Sequence, residues 1–178
     1  MDHLRRFDRS WMDELHLRDG TAVWWRPVVP SDRDAFEASF PHLSARTRYL
    51  RFHNRVRQLP PSLWRKLVDE VDQRRHIAFA LHAGAEVIAV CHLVRSEQDW
   101  HTADLSLLVT DEWQGRGAGS LLAREVLAVA GDVHRIDTAV LLENDAALRT
   151  LRGLGETLVE YVDGDYRARV DLRRPDVA

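Results

Sequence analysis

Lysine is almost absent from this chain: Lys66 stands alone among 25 basic residues, and every other cation is arginine. A Walker-type phosphate loop needs Gly-Lys-Ser/Thr, and the single lysine lies far from the glycines at 115–119, so that class is excluded. Arginine remains available, and its planar fork pairs bidentately with phosphate. Cysteine also occurs once, as Cys91 in IAVCHL. One thiol forms no internal disulfide, and its apolar setting reads as a small buried hydrophobe. No apolar run approaches the roughly 18 residues of a membrane span, and MDHLRRFDRS has no apolar stretch of a secretory signal. A cytoplasmic protein without membrane association is expected. The nine histidines show no His-x-x-x-His spacing, so no metal is expected. A net charge of −3 supplies no basic face for nucleic acid.

What is present is ordinary for a globular domain. Of 178 residues, 45% are apolar and 30% charged, enough for one core and too little for two comfortable domains. Residues 1–14 are polar and expected to be loosely held, with a single domain over 15–178. TAVWWRPV (21–28) reads as a first strand between Gly20 and Pro30. Ser31, Ser44 and Ser62 each open a candidate helix. The period then changes. HIAFALHA and EVIAVCHLV form a hairpin across Gly84-Ala85, and TADLSLLVT is the next strand. A helix (SLLAREVLAVAG), a strand (RIDTAVLLE), a short helix (NDAALRTLRGLG) and a hairpin turning at Asp163-Gly164 complete the order. This is an α/β (α+β) pattern: a mixed, mostly antiparallel sheet of about seven strands flanked by helices.

The informative segment is VTDEWQGRGAGS, from Val109 to Ser120. Glycines at 115, 117 and 119 sit between a strand end and a helix start. Glycine lets backbone approach a ligand and adopt positive φ, and the helix adds the positive end of its dipole; together they suit a pyrophosphate. A dinucleotide fingerprint requires a glycine where this chain has Ser120, near the first strand of its fold. Here the loop follows the fourth predicted strand, with too little chain beyond it.

At these residues the sequence resembles the GNAT acetyltransferases. Gln114, Gly117 and Gly119 match their pyrophosphate motif. Asn144, Ala147 and Gly155 match a second motif at the expected distance. LRDGTAVWWRPVVPSD and LSARTRYLRF resemble the opening of the GNAT domain of bacterial protein lysine acetyltransferases. The resemblance spans 17 to about 172 and implies the GNAT fold with acetyl-CoA as co-substrate. It implies that Leu107, Leu108 and Val109 form the strand end that pairs with the pantetheine arm and acetyl carbonyl. Gln114, Gly115, Arg116, Gly117, Ala118, Gly119 and Ser120 would hold the pyrophosphate, and Asn144 would contact the CoA arm. The tyrosine that often protonates the leaving thiolate is Leu151 here, and the phenylalanine usually found after the glycine is Glu156.

Acetyl transfer to an amine needs a base, a polarised carbonyl and a stabilised thiolate. Asp104 is the candidate base, on the expectation that an apolar strand desolvates it and raises its pKa. Glu143 is a second candidate, and Tyr161, Tyr166 or water could meet the thiolate. Arg46, Arg48, Arg51, Arg55 and Arg57 crowd one segment without an acid, and Arg48, Arg51 and Arg55 are expected on one helical face. They form either a solvated surface or a collar for an acidic acceptor or a CoA phosphate. The expected activity is N-acetyl transfer to a primary amine, on a protein lysine or a small molecule. The alternative is a non-catalytic CoA-binding regulatory module. A homodimer is kept open as the assembly.

Overall fold

The computed structural model describes residues 11–172. Eight strands form one sheet in the order β1-β2-β3-β4-β5-β6-β8-β7. They are β1 (Asp13–His16), β2 (Ala22–Pro27), β3 (His76–Ala83), β4 (Glu86–Arg95), β5 (Thr102–Val109), β6 (Arg135–Ala139), β7 (Gly155–Val162) and β8 (Asp165–Leu172). All neighbours are antiparallel except β5 and β6. The eighth strand is β1, whose first two residues, Asp13 and Glu14, fall in the segment expected to be loosely held. Residues 1–10 of that segment lie outside the described residues. Residues 13–16 pair with β2, and Trp11 packs edge-on against Trp25 at 5.0 Å and Phe79 at 6.0 Å. β1 is too short and too polar on its exposed side to show in a periodicity.

Five helices cover the sheet: α1 (Arg33–Ser39), α2 (Ala45–Phe52), α3 (Pro61–Trp64, continuing as a π-helical turn over Arg65–Asp69), α4 (Ala118–Ala130) and α5 (Asp145–Leu154). β3 and β4 read as near-continuous apolar runs because both of their faces are covered. On one face α4 lays Ala118, Leu122, Val126 and Ala130, each four positions apart, onto Ile77, Phe79, Cys91 and Leu105. On the other, α1, the turn after it and α3 bring Phe36, Phe40, Trp64 and Val68 onto Ala78 and Ala80, with Phe52 of α2 packed against them. Each fully buried large side chain is worth about 1.5–3 kcal/mol, so the two cores fix which face the helices present. Trp25 is buried and Trp24 is not, as the strand alternation requires.

Two local expectations change. Ser31 does not cap α1; a 3₁₀ turn over Pro30–Asp32 leads in, and Asp32 accepts from both guanidinium arms of Arg26 and from the Val29 N–H. Ser44 does cap α2, accepting from the Thr47 N–H at 3.0 Å. That helix stops at His53, which is left-handed with φ 53°. Arg55 is therefore off the helix and does not share a helical face with Arg48 and Arg51. Arg46, Arg55 and Arg57 are exposed, whereas Arg48 and Arg51 turn inward.

Candidate functional site

β5 and β6 pair only at Thr102–Arg135 and Ala103–Ile136. Beyond Ala103 they part. β6 goes on to pair with β8 as far as Ala139, and β5 stays on β4 as far as Val109. The Leu105 carbonyl still accepts from the Thr138 hydroxyl at 3.2 Å, which shows that residue 105 points into the gap. Antiparallel pairing alternates the direction of successive residues. Leu107 and Val109 therefore direct their backbone groups into the gap as well, and Ser106 and Leu108 direct theirs to β4. Of the three residues expected to meet the pantetheine arm, Leu107 and Val109 have the required orientation. Leu108 does not: its backbone is committed to β4 and its side chain lines a cavity beneath α1–α3.

The glycine loop stands beside this gap. Gly115 and Gly117 have φ of 77° and 89°, a region that costs an L-residue roughly 1–2 kcal/mol. Gly119 serves another purpose: a Cβ there would lie 3.2 Å from Val109 Cγ2, so its absence lets α4 start directly against the end of β5. The first bond of α4 is Leu121 N–H to the Gly117 carbonyl at 2.9 Å. Among the described residues the backbone N–H groups of 115–120 have no hydrogen-bond partner, and those of the first helical turn carry the positive end of the dipole. Six successive donors across the loop and the start of α4, next to an open strand edge, fit a diphosphate with an arm extending into the gap.

The side chains of the loop hold its shape. Gln114 donates through Nε2 to Thr47 Oγ1 at 2.9 Å and to the Val109 carbonyl at 3.1 Å. Asp111 accepts from the Ser44 N–H and hydroxyl and from the Thr47 hydroxyl at 2.6–2.8 Å. Burial pushes the Asp111 carboxyl up, but these hydrogen bonds outweigh it and hold it below the usual range. Arg116 is spent on Asp19, at 2.7 Å, and on Thr21, with its guanidinium over the Trp113 ring. The cation against the loop is instead Arg18, whose stem lies 3.4 Å from where a Gly117 Cβ would be. No spacing in the sequence marked Arg18. Ser120 shares a hydrogen bond with Thr150 of α5.

The remaining candidates are scattered, and only Glu143 and Asn144 lie past the end of β6 on the opposite wall. Asn144 caps α5, accepting from the Ala147 N–H at 3.1 Å. Glu143 is exposed and accepts from the Tyr49 hydroxyl at 3.1 Å. That bond, with the charge of Glu143, keeps the Tyr49 proton on more firmly than usual. Leu151 is buried in the core, so an apolar residue at that position packs rather than reacts. Tyr161 and Tyr166 stack on each other at 5.1 Å on the outer β7–β8 hairpin. Asp104 lies on the α2 side of β5 and is solvent-exposed, so the desolvation expected for it does not occur. Among the described residues no group of three or more potential metal ligands occurs, and no helix is long and apolar enough to cross a membrane.

Comparison with known proteins bears on the same segments. The family model described as "Acetyltransferase (GNAT) family" matches residues 33–156. Acetyltransferase Pat of Mycolicibacterium smegmatis is 31% identical over 162 residues, covering 89% of this chain and 48% of that protein. The L-amino acid N-acetyltransferase AaaT of Escherichia coli is 32% identical over 84 residues, covering 39% of this chain and 52% of that one. The chain thus spans about half the length of these curated relatives. The GNAT domain of S. lividans PAT superposes with a TM-score of 0.83 at 24% identity, covering 94% of this chain and all of that one. An open β5–β6 edge, a glycine turn with free amides and a family match across both place this chain in the GNAT acetyltransferase family.

Proposed function

We propose that the protein is an acetyl-CoA-dependent N-acetyltransferase acting on a primary amine. The observation that carries this reading is the run of N–H groups at 115–120 without a protein partner, at the start of α4 and beside the stretch of β5 from Leu107 to Val109 that β6 does not pair. The loop amides and Arg18 would hold the diphosphate, and the β5 edge would receive the pantetheine arm. The Leu107 or Val109 N–H would polarise the thioester carbonyl, an electrostatic contribution that needs no reorganisation. The amine nitrogen attacks that carbon; a C–N bond forms, the C–S bond breaks, one amine proton goes to a base and the thiolate takes a proton to leave as CoA.

Asp104 is the proposed base. Its exposure points to proton removal through an intervening water rather than by a desolvated carboxylate. Tyr49 replaces Tyr161 and Tyr166 as the proposed acid, because its hydroxyl is bonded to Glu143, in the segment that follows β6. Calorimetry with CoA tests the first half of the reading, and release of free thiol from acetyl-CoA over a panel of amines tests the second. Affinity without thiol release for any amine would favour a CoA-binding regulatory module. No affinity would remove the reading altogether.

A further inference from the structure

The α2 side of β5 carries a cation with no carboxylate in direct contact. Arg51 donates to Ser106 Oγ at 2.9 Å, and its guanidinium lies 5.0 Å from the Phe52 ring centroid. Among the described residues no carboxylate oxygen comes within 4.0 Å of it, and the rest of its donor fork finds no hydrogen-bond partner. Its nearest titratable neighbours, His92 and Cys91, are uncharged. His92 is bonded to His76 at 2.9 Å and held uncharged by burial and by the nearby Arg51. Burial pushes the Cys91 thiol up. Asp104 contributes charge from further along the strand. A partly desolvated guanidinium whose nearest carboxylate stays beyond ion-pair distance is costly, and part of that cost is recovered when an anion docks against it.

The same arginine borders an empty space. A cavity of about 70 Å³ beneath α1–α3 is lined by Phe40, Phe52, Leu59, Trp64 and Leu108, with Arg51 the only charged side chain in its wall among the described residues. One water needs about 10–15 Å³ on that measure, so the cavity has the scale of a branched aliphatic or small ring group. Along this face of β5 the order is Asp104, Ser106 bonded to Arg51, then Leu108 at the cavity, with alternate residues about 6.6 Å apart.

We propose that the acceptor is an amino acid with an apolar side chain. Its carboxylate engages Arg51 and Ser106, its side chain enters the cavity against Leu108, and its amine is left on the β5 edge beside the gap. This rests on the acetyl-transfer reading and adds the acceptor class to it. A lysine on a protein surface would bring no anion to Arg51.

The test compares L-leucine with L-leucinamide, and L-phenylalanine with its amide, as acceptors in thiol release from acetyl-CoA, beside calorimetry with CoA. The amide is the more easily deprotonated amine, so intrinsic reactivity works against the proposal. The acid should nonetheless exceed the amide in kcat/KM by about tenfold to a hundredfold, the scale of one hydrogen-bonded charge pair. The ratio should fall toward one in Arg51→Met and persist in part in Arg51→Lys. If Arg51→Met does not fold, the acid-to-amide ratio of the natural protein decides by itself. Equal turnover of acid and amide, or turnover of a lysine peptide alone, overturns the acceptor class and leaves acetyl transfer standing. Absence of CoA affinity and of thiol release with every amine overturns both.

Discussion

Gly117→Ala separates a ligand-binding turn from a merely tight one. Gly117 is the N-cap of α4 with φ 89°, and a Cβ there would meet the Arg18 side chain at 3.4 Å, a contact that a flexible stem relieves. The steric cost is therefore the backbone conformation, about 1–2 kcal/mol. For a domain of this size that lowers Tm by roughly 2–8 °C. Any relaxation of φ re-aims the neighbouring N–H groups that would hold the diphosphate. One or two hydrogen bonds to a charged group, at about 1.5–3 kcal/mol each, would weaken CoA binding by about tenfold to a hundredfold or more. Gly84→Ala is the control. Gly84 also has positive φ, 59°, with nothing within 4 Å, but it sits in the β3–β4 turn. It should lose comparable Tm and keep its CoA affinity. Titration calorimetry with CoA and thermal unfolding of both variants decide the matter. Equal CoA affinity in the two alanine variants would refute the assignment of the loop to the diphosphate.

Three further outcomes are expected. Asp104→Asn should reduce kcat by about 10²–10⁴, the usual range for a lost general base, while CoA affinity measured by calorimetry persists; an unaltered kcat would reject the role. Gly155→Ala should destabilise by more than about 3 kcal/mol in urea unfolding, because a Cβ would fall 2.0 Å from the Asp171 carbonyl oxygen and backbone on both sides would have to shift; a variant unfolding at the natural midpoint would show that the α5–β7 junction yields easily. Asp111 has its folded pKa held below the unfolded value, so its contribution is present above about pH 4 and is lost as pH falls through the folded value; Asp111→Asn should unfold more readily at neutral pH and lose part of the natural protein's acid sensitivity, measured by urea midpoints at pH 7 and pH 3.

Much of the fold was legible because local chemistry and global packing agree. Gly84-Ala85 and Asp163-Gly164 turn the two hairpins as their residue types require, and Gly131 ends α4 with positive φ. The glycine loop was legible because strand, turn and helix all left marks in the sequence. What stayed hidden depends on contacts distant in sequence. β1 announces itself only through pairing with β2. The inward turn of Arg51 depends on Ser106, fifty-five positions away, and the arginines of its segment look alike until α2 is placed on β5. Asp104 shows the opposite failure. Apolar neighbours in the chain suggested a buried carboxylate, but in a strand adjacent residues face opposite ways, and Asp104 faces solvent while Ala103 and Leu105 are buried.

These distant contacts converge on α2, a helix of eight residues, too short to be stable alone in water. Its first turn is bound to the loop after β5 through Asp111 and Gln114. Its middle reaches the far wall through Tyr49 and Glu143, and its last turn reaches β5 through Arg51 and Ser106. An element that short keeps its place because the surrounding walls hold it, so displacement of one wall is felt at the others. Ligand in the glycine loop would steady the segment from Asp111 to Gln114, and through Thr47 it would steady the helix that carries Arg51. Filling the donor half of the site should therefore order the half that faces the acceptor. Hydrogen exchange across 44–52, slowed by CoA alone, is the expected signature; exchange there unchanged by bound CoA would show the two halves to be independent.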